Sequence, residues 1–170
     1  MNTRIIAQRI GNQCRLYGVT LSICESCTGG LFSGMVTSIP GSSAYFTGSI
    51  VAYANWVKKD IVGVRQETLT RHGAVSSHVA REMAQGIRSC LKADIGVSIT
   101  GIAGPSGGNE KKPVGCVFIG IATAKGVSVK EYMFHGSRKS IRLQACEHAL
   151  RFLESVMLHE LKEIDLQDKP

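Results

Sequence analysis

The sequence predicts an α/β protein in three layers, α/β/α, around a mixed, mostly parallel sheet that contains one antiparallel strand. Three observations predict it. Short β-branched runs recur at 19–24, 48–53 and 95–100. Segments of helical period separate them, and a strand–helix–strand order implies parallel pairing with helices on both faces. Late in the chain, 116–123 and 127–134 flank Lys125-Gly126, a hairpin signal that turns one strand antiparallel.

The elements follow in order. Residues 3–17 read as a helix, because Ile6, Ile10 and Cys14 recur at spacing four, and Gly18 can end it. A strand at 19–24 leads into a loop at 25–30 and a small-residue helix at 31–38. Pro40-Gly41-Ser42-Ser43 marks a turn. The strand at 48–53 precedes a short helix at 55–62, and 68–74 reads as a connector. Ser76 or Ser77 caps the next helix, whose inward stripe is Val79, Met83, Ile87 and Leu91. After the strand at 95–100 comes a glycine loop at 101–108. The last helix starts near Arg138 on a seam of Ile141, Ala145, Ala149, Leu153 and Val156. One domain over 1–170 is expected, with a core at about 5–160 and a frayed tail at 165–170.

The chain has 170 residues and its mean hydropathy is +0.06. With 44% apolar and 19% charged residues it is neither disordered nor fibrous. No apolar run approaches the ~20 residues of a membrane span. The N-terminal segment, with Arg4 and Arg9, lacks the long apolar stretch of a secretory signal, so a cytoplasmic location is expected. Cys24 and Cys27 form a C-x-x-C, but no second pair or suitably spaced histidines accompany it, as a zinc site would need. Reduced thiols are the expectation, and no metal is expected.

The net charge is +7, and its distribution says more than its size. From Leu16 to Val57 the only formal charge is Glu25, and from Ala93 to Asn109 it is Asp94. Two neutral, hydroxyl-rich loop systems thus sit in a basic shell; buried strands would have the same composition. The basic residues are spread over most of the helical segments, with no dense run and no interleaved aromatics, which argues against nucleic acid as a partner.

The first loop, Glu25-Ser26-Cys27-Thr28-Gly29-Gly30, joins a strand to a helix. Glycines admit close backbone approach, a helix start offers free N–H donors, and Ser26 and Thr28 add hydroxyls, a combination suited to an anion. An N-capped helix packed through glycines would look the same. The second loop, 100–108 (TGIAGPSGG), fits neither G-x-G-x-x-G nor G-x-x-x-x-G-K-[ST], which argues against a dinucleotide fold and a P-loop NTPase. In most fold schemes of this kind, ligands sit at the carboxyl ends of the parallel strands, so both loops are expected at one crevice. A third cluster holds Ser42, Ser43, Tyr45, Tyr53 and Lys58. A serine needs a base, and the five histidines lie away from the hydroxyl-rich loops. A lysine serves only if its pKa is lowered, and Lys58 follows a near-neutral stretch. Ser89-x-x-Lys92 lies on an amphipathic helix rather than in a glycine-rich loop and reads as chance. Arg138 and Arg142 share a helix face, a pair suited to phosphate or to solvent.

Six segments in order, ESCTGG (25–30), PGSSAYF (40–46), Tyr53 with Lys58, GAVS (73–76), TGIAGPSGG (100–108) and KPVG (112–115), make the chain resemble the CinA C-terminal-domain family, with its stand-alone nicotinamide-nucleotide amidohydrolases, over about residues 5–160. The resemblance implies an α/β/α fold, commonly a homodimer, and conversion of nicotinamide mononucleotide to nicotinate mononucleotide and ammonia by a Ser/Lys pair without metal or organic cofactor. By position it implies Ser43 as nucleophile, Lys58 as base, Tyr53 as orienting or relaying group and Thr100 near the amide. Arg138, with Arg142, would hold the phosphate. Ser26, Thr28, Gly29, Gly30, Gly101 and Gly104 would line the substrate and supply backbone donors. Ala54 departs from the serine that often follows the tyrosine, and Trp56 enlarges that helix. The alternative is a catalytically silent nucleotide-binding or competence- and damage-associated protein.

Overall fold

A computed structural model describes residues 3–167 of the chain. Helix α1 (Thr3–Tyr17) leads to β1 (Leu21–Glu25), α2 (Leu31–Thr37) and, through a single 3-10 turn at Ser42–Ala44, to β2 (Phe46–Val51). A π-helical turn at Val57–Ile61 and α3 (Gln66–His72) precede α4 (Ser77–Cys90) and β3 (Ile95–Gly101). The hairpin of β4 (Cys116–Thr123) and β5 (Gly126–Met133) and the long α5 (Arg138–Gln167) complete the chain. The expected fraying at 165–170 meets helix as far as Gln167; residues 168–170 lie outside the described part.

The five strands form one sheet in the order β2-β1-β3-β4-β5. β1 pairs in parallel with β2 and β3, and β4 runs antiparallel to both β3 and β5. β4 is therefore the one reversed strand, as the hairpin signal predicts. Every residue of β1 and β4 is buried, whereas the edge strands β2 and β5 alternate or lie partly exposed, the pattern of a sheet covered on both faces.

Two cores result. Leu21, Ile23, Val97, Ile99, Val117 and Ile119 face α1, α2 and α5. Cys24 and Ala52 face α4, α3 and the residues after the π turn. Ser76 caps α4 by accepting from the Val79 N–H, and Val79, Met83 and Ile87 are fully buried beneath it. Burying three such side chains stabilises by roughly 5–9 kcal/mol, which outweighs any propensity term. α4 sits so close to the sheet that a Cβ on Gly96 would come within 2.2 Å of the Ala84 carbonyl oxygen.

Three expectations are corrected. Residues 68–74 are not a plain connector, because α3 occupies Gln66–His72. Its seven residues are too few to show a period, and tertiary contacts hold it: Leu69 packs into the α4 core and Thr68 donates to Glu82 at 2.8 Å. The second strand lies two residues earlier than expected. The hairpin turn falls on Ala124-Lys125, so Gly126 opens β5. Among the described residues no helix is long and apolar enough to cross a membrane.

Candidate active site

The loop after β1 is organised by a buried acid. Glu25 ends β1 with no solvent exposure. Its Oε2 accepts from the Gly30 N–H at 3.0 Å and the Phe32 N–H at 3.2 Å, and its Oε1 accepts from the Ser33 N–H at 2.8 Å and from the Ser33 hydroxyl. The first donors of α2 are thus spent on a side chain of the protein itself. This corrects the expectation that Gly30 supplies a donor to a substrate anion. Gly29 and Gly30 both adopt left-handed backbone conformations, with φ of 58° and 89°, which glycine reaches without the Cβ penalty. They fold the loop back over the carboxylate.

Ser26 follows directly. Its N–H donates to the Ile99 carbonyl at 2.9 Å, which continues the β1–β3 ladder and seats Ser26 at the carboxyl ends of both strands. Lys58 comes to it from the π turn after β2. A π turn is wider than an α turn and frequent at functional sites; here Lys58 is the buried residue on an exposed turn, 1% accessible. Its Nζ lies 3.2 Å from Ser26 Oγ, 2.6 Å from the Ala52 carbonyl and 3.2 Å from the Tyr53 carbonyl. No carboxylate pairs with it among the described residues. Burial pulls its pKa below the usual lysine value. The thiols of Cys24 and Cys27 are pushed up by burial to about 12 and about 11, so near pH 7 they are neutral and provide no counter-ion. Lys58 Nζ thus donates to two carbonyls and to Ser26 Oγ, in a setting whose burial favours its neutral form.

The arginines close the far side. Arg142 Nη2 donates to the Thr28 carbonyl at 2.6 Å. Thr28 is fully buried, and among the described residues neither its hydroxyl nor Arg142 Nε has a partner. Exposed Arg138 bridges two segments, donating to the Gly104 carbonyl at 2.7 Å and to the Tyr53 hydroxyl at 2.9 Å. Tyr53 is 59% exposed, and its hydroxyl is held by Arg138, away from the lysine that its carbonyl contacts. Thr100 is buried at the end of β3 and donates to the Ala74 carbonyl at 2.8 Å. Gly101 serves packing, since a Cβ there would meet Val117 at 2.6 Å.

Eleven of the twelve expected site residues therefore gather at one end of the sheet; Ser43 does not. It is exposed in the 3-10 turn before β2, whereas Lys58 follows β2. The six residues of β2 carry the chain roughly 20 Å between them, so the hydroxyl beside Lys58 is that of Ser26. The PGSSAYF segment has a packing role instead: Tyr45 is 2% exposed and wedged against α1, where a Cβ on Gly11 would stand 2.8 Å from its hydroxyl oxygen. The C-x-x-C is divided by the sheet, with Cys24 in the α4 core and Cys27 in the α1/α5 core. Among the described residues no group of three or more His, Cys, Asp or Glu side chains could hold a metal ion. The residue that the sequence reading missed is Glu25, although its solitary charge in a long neutral stretch was the visible signal.

Fold and site define a three-layer α/β/α protein with a buried serine–lysine pair at the carboxyl ends of its parallel strands. The CinA C-terminal domain matches residues 3–157, and the chain belongs to that family. The nicotinamide-nucleotide amidohydrolase PncC of Escherichia coli K12 is 45% identical over 149 residues, 87% of this chain and 90% of its own. A CinA-like protein of Geobacter metallireducens is 50% identical over 141 residues, 83% of this chain. The chain spans about a third of the length of that relative and of several other curated ones. The crystal structure of the competence/damage inducible protein CihA from Agrobacterium tumefaciens superposes with a TM-score of 0.88 at 41% identity, covering 90% of this chain and 94% of that one.

Proposed function

We propose that the protein hydrolyses the carboxamide of nicotinamide mononucleotide to nicotinate mononucleotide and ammonia, with Ser26 as nucleophile and Lys58 as base. The observation that carries this reading is the setting of Lys58, buried 3.2 Å from Ser26 Oγ with no acid among the described residues to hold its proton. The name and near-complete coverage of the Escherichia coli relative support the substrate.

Lys58 takes the Ser26 proton as Oγ attacks the carboxamide carbon. The oxygen of the tetrahedral adduct becomes negative. Among the described residues no oxygen accepts from the N–H groups of Cys27 or Thr28, and these are the donors next to that position. The C–N bond breaks as the Lys58 ammonium returns its proton to the leaving nitrogen, releasing ammonia. Water then attacks the Ser26 ester, losing its proton to Lys58, and the acid departs as the proton returns to Ser26. Arg138 takes the phosphate, exchanging its contact with Tyr53 for one with the substrate. The reading needs no metal or organic cofactor. It includes a second copy of the chain as partner and a cytoplasmic location, checked by light scattering and by fractionation.

The test is ammonia release. Purified protein incubated with nicotinamide mononucleotide is expected to liberate one ammonia per nicotinate mononucleotide formed. No ammonia above background contradicts the reading.

A further inference from the structure

The geometry points to Glu25 as the positioning residue of the nucleophile loop: an internal carboxylate that takes the opening donors of α2 and thereby sets Ser26 and the two following N–H groups. The inference rests on the reading of Ser26 as nucleophile.

Glu25 has no role in the chemistry. Its carboxylate lies on the α1/α5 side, among the donors of α2, and Lys58 lies on the other face of the sheet with Cys24. It touches neither Lys58 nor the Ser26 hydroxyl among the described contacts. Yet both oxygens are saturated: four donors from Gly30, Phe32 and Ser33 converge on them. A buried carboxylate is stable only when so satisfied.

Two consequences follow. The start of α2 is closed to a ligand anion, so the substrate's phosphate must seat elsewhere on the site. The loop between Glu25 and Gly30 is also pinned at both ends, by the β1–β3 ladder at Ser26 and by the carboxylate at Gly30. The Cys27 and Thr28 N–H groups, which have no oxygen partner among the described residues, hold their direction because of that pinning. A glutamine could not replace the acid. Its single carbonyl oxygen can serve only one pair of donors, and its amide N–H₂ would face the other pair.

The test compares wild type, Glu25→Gln and Ser33→Ala in two assays. One is kcat and KM for ammonia release from nicotinamide mononucleotide. The other is the rate at which a fluorophosphonate, which requires no knowledge of the substrate, labels Ser26. Displacements of about 1 Å cost on the order of 10²-fold in rate. Glu25→Gln is therefore expected to lower both kcat and the labelling rate about 10²-fold, with KM changed less than about threefold. Ser33→Ala, which removes one donor of four, is expected to lower both roughly fivefold. Activity per folded molecule, corrected by thermal unfolding, is the quantity compared. Unchanged rates per folded molecule, or a rise in KM at constant kcat, overturn the inference. If Glu25→Gln does not fold, Ser33→Ala decides on the same criteria. If wild type labels at Ser26 but releases no ammonia, the substrate reading fails while labelling still judges Glu25. If wild type is not labelled at Ser26, the nucleophile reading falls and the role of Glu25 falls with it.

Discussion

Two serine-bearing loops of this chain make an instructive pair. ESCTGG and PGSSAYF are both glycine-bearing and close to a strand of the same parallel pair, and Glu25 is their one formal charge. ESCTGG follows β1 and PGSSAYF precedes β2, so they occupy opposite ends of the sheet. At the carboxyl end, Ser26 is 9% exposed and meets a lysine that has no carboxylate partner among the described residues. At the amino end, Ser43 is exposed, and the segment's fixed feature is the buried ring of Tyr45. A hydroxyl becomes a nucleophile by the company it keeps, and strand direction decides that company.

The comparison can be broken from either end. The largest effect is expected at the lysine. Lys58→Met should lower kcat by ~10²–10⁴-fold, the range of a lost general base. In wild type, kcat/KM should rise with pH through a midpoint below 10.5, because burial favours the neutral amine. A pH-independent wild type, or an active methionine variant, would break the assignment. Next comes the opposite end. Tyr45→Ala should cost about 3–5 kcal/mol of stability, read by denaturant unfolding, with kcat per folded molecule unchanged. A selective loss of kcat would give that loop a chemical role. Arg138→Ala should raise KM for nicotinamide mononucleotide by roughly 10–30-fold, the worth of a charged hydrogen bond. It should leave kcat/KM for the unphosphorylated riboside unchanged, which steady-state kinetics will show.

The smallest effect is on stability. A lysine whose folded pKa is depressed binds fewer protons in the native state than in the unfolded one. Stability therefore rises with pH between the folded value and 10.5. Wild type should gain on Lys58→Met by at most about 1.4 kcal/mol per pH unit in that window, measured by urea titration at several pH values. A gain as pH falls would mean that the ammonium form is the one the fold stabilises.

Much of this was legible in the residues. The spacing of Val79, Met83 and Ile87 located α4, and the β-branched runs located the parallel strands. The hairpin identified the reversed strand β4. α3 was invisible, because seven residues held by Glu82 and the α4 core show no period. The site was legible as a set of loops, and the serine that lies beside Lys58 is Ser26 rather than Ser43. The topological rule already separated the candidates: Ser26 follows its strand and Ser43 precedes its own. Glu25 was seen as a charge, but its hydrogen bonds to Gly30, Phe32 and Ser33 depend on how the loop folds back, which the sequence pattern does not specify.

The most direct measurement is a side-by-side turnover assay of Ser26→Ala and Ser43→Ala on nicotinamide mononucleotide, each corrected for folded fraction. The account expects ammonia release to fall to background in Ser26→Ala and to stay within about twofold of wild type in Ser43→Ala. Full turnover by Ser26→Ala, or its loss in a folded Ser43→Ala, would contradict it.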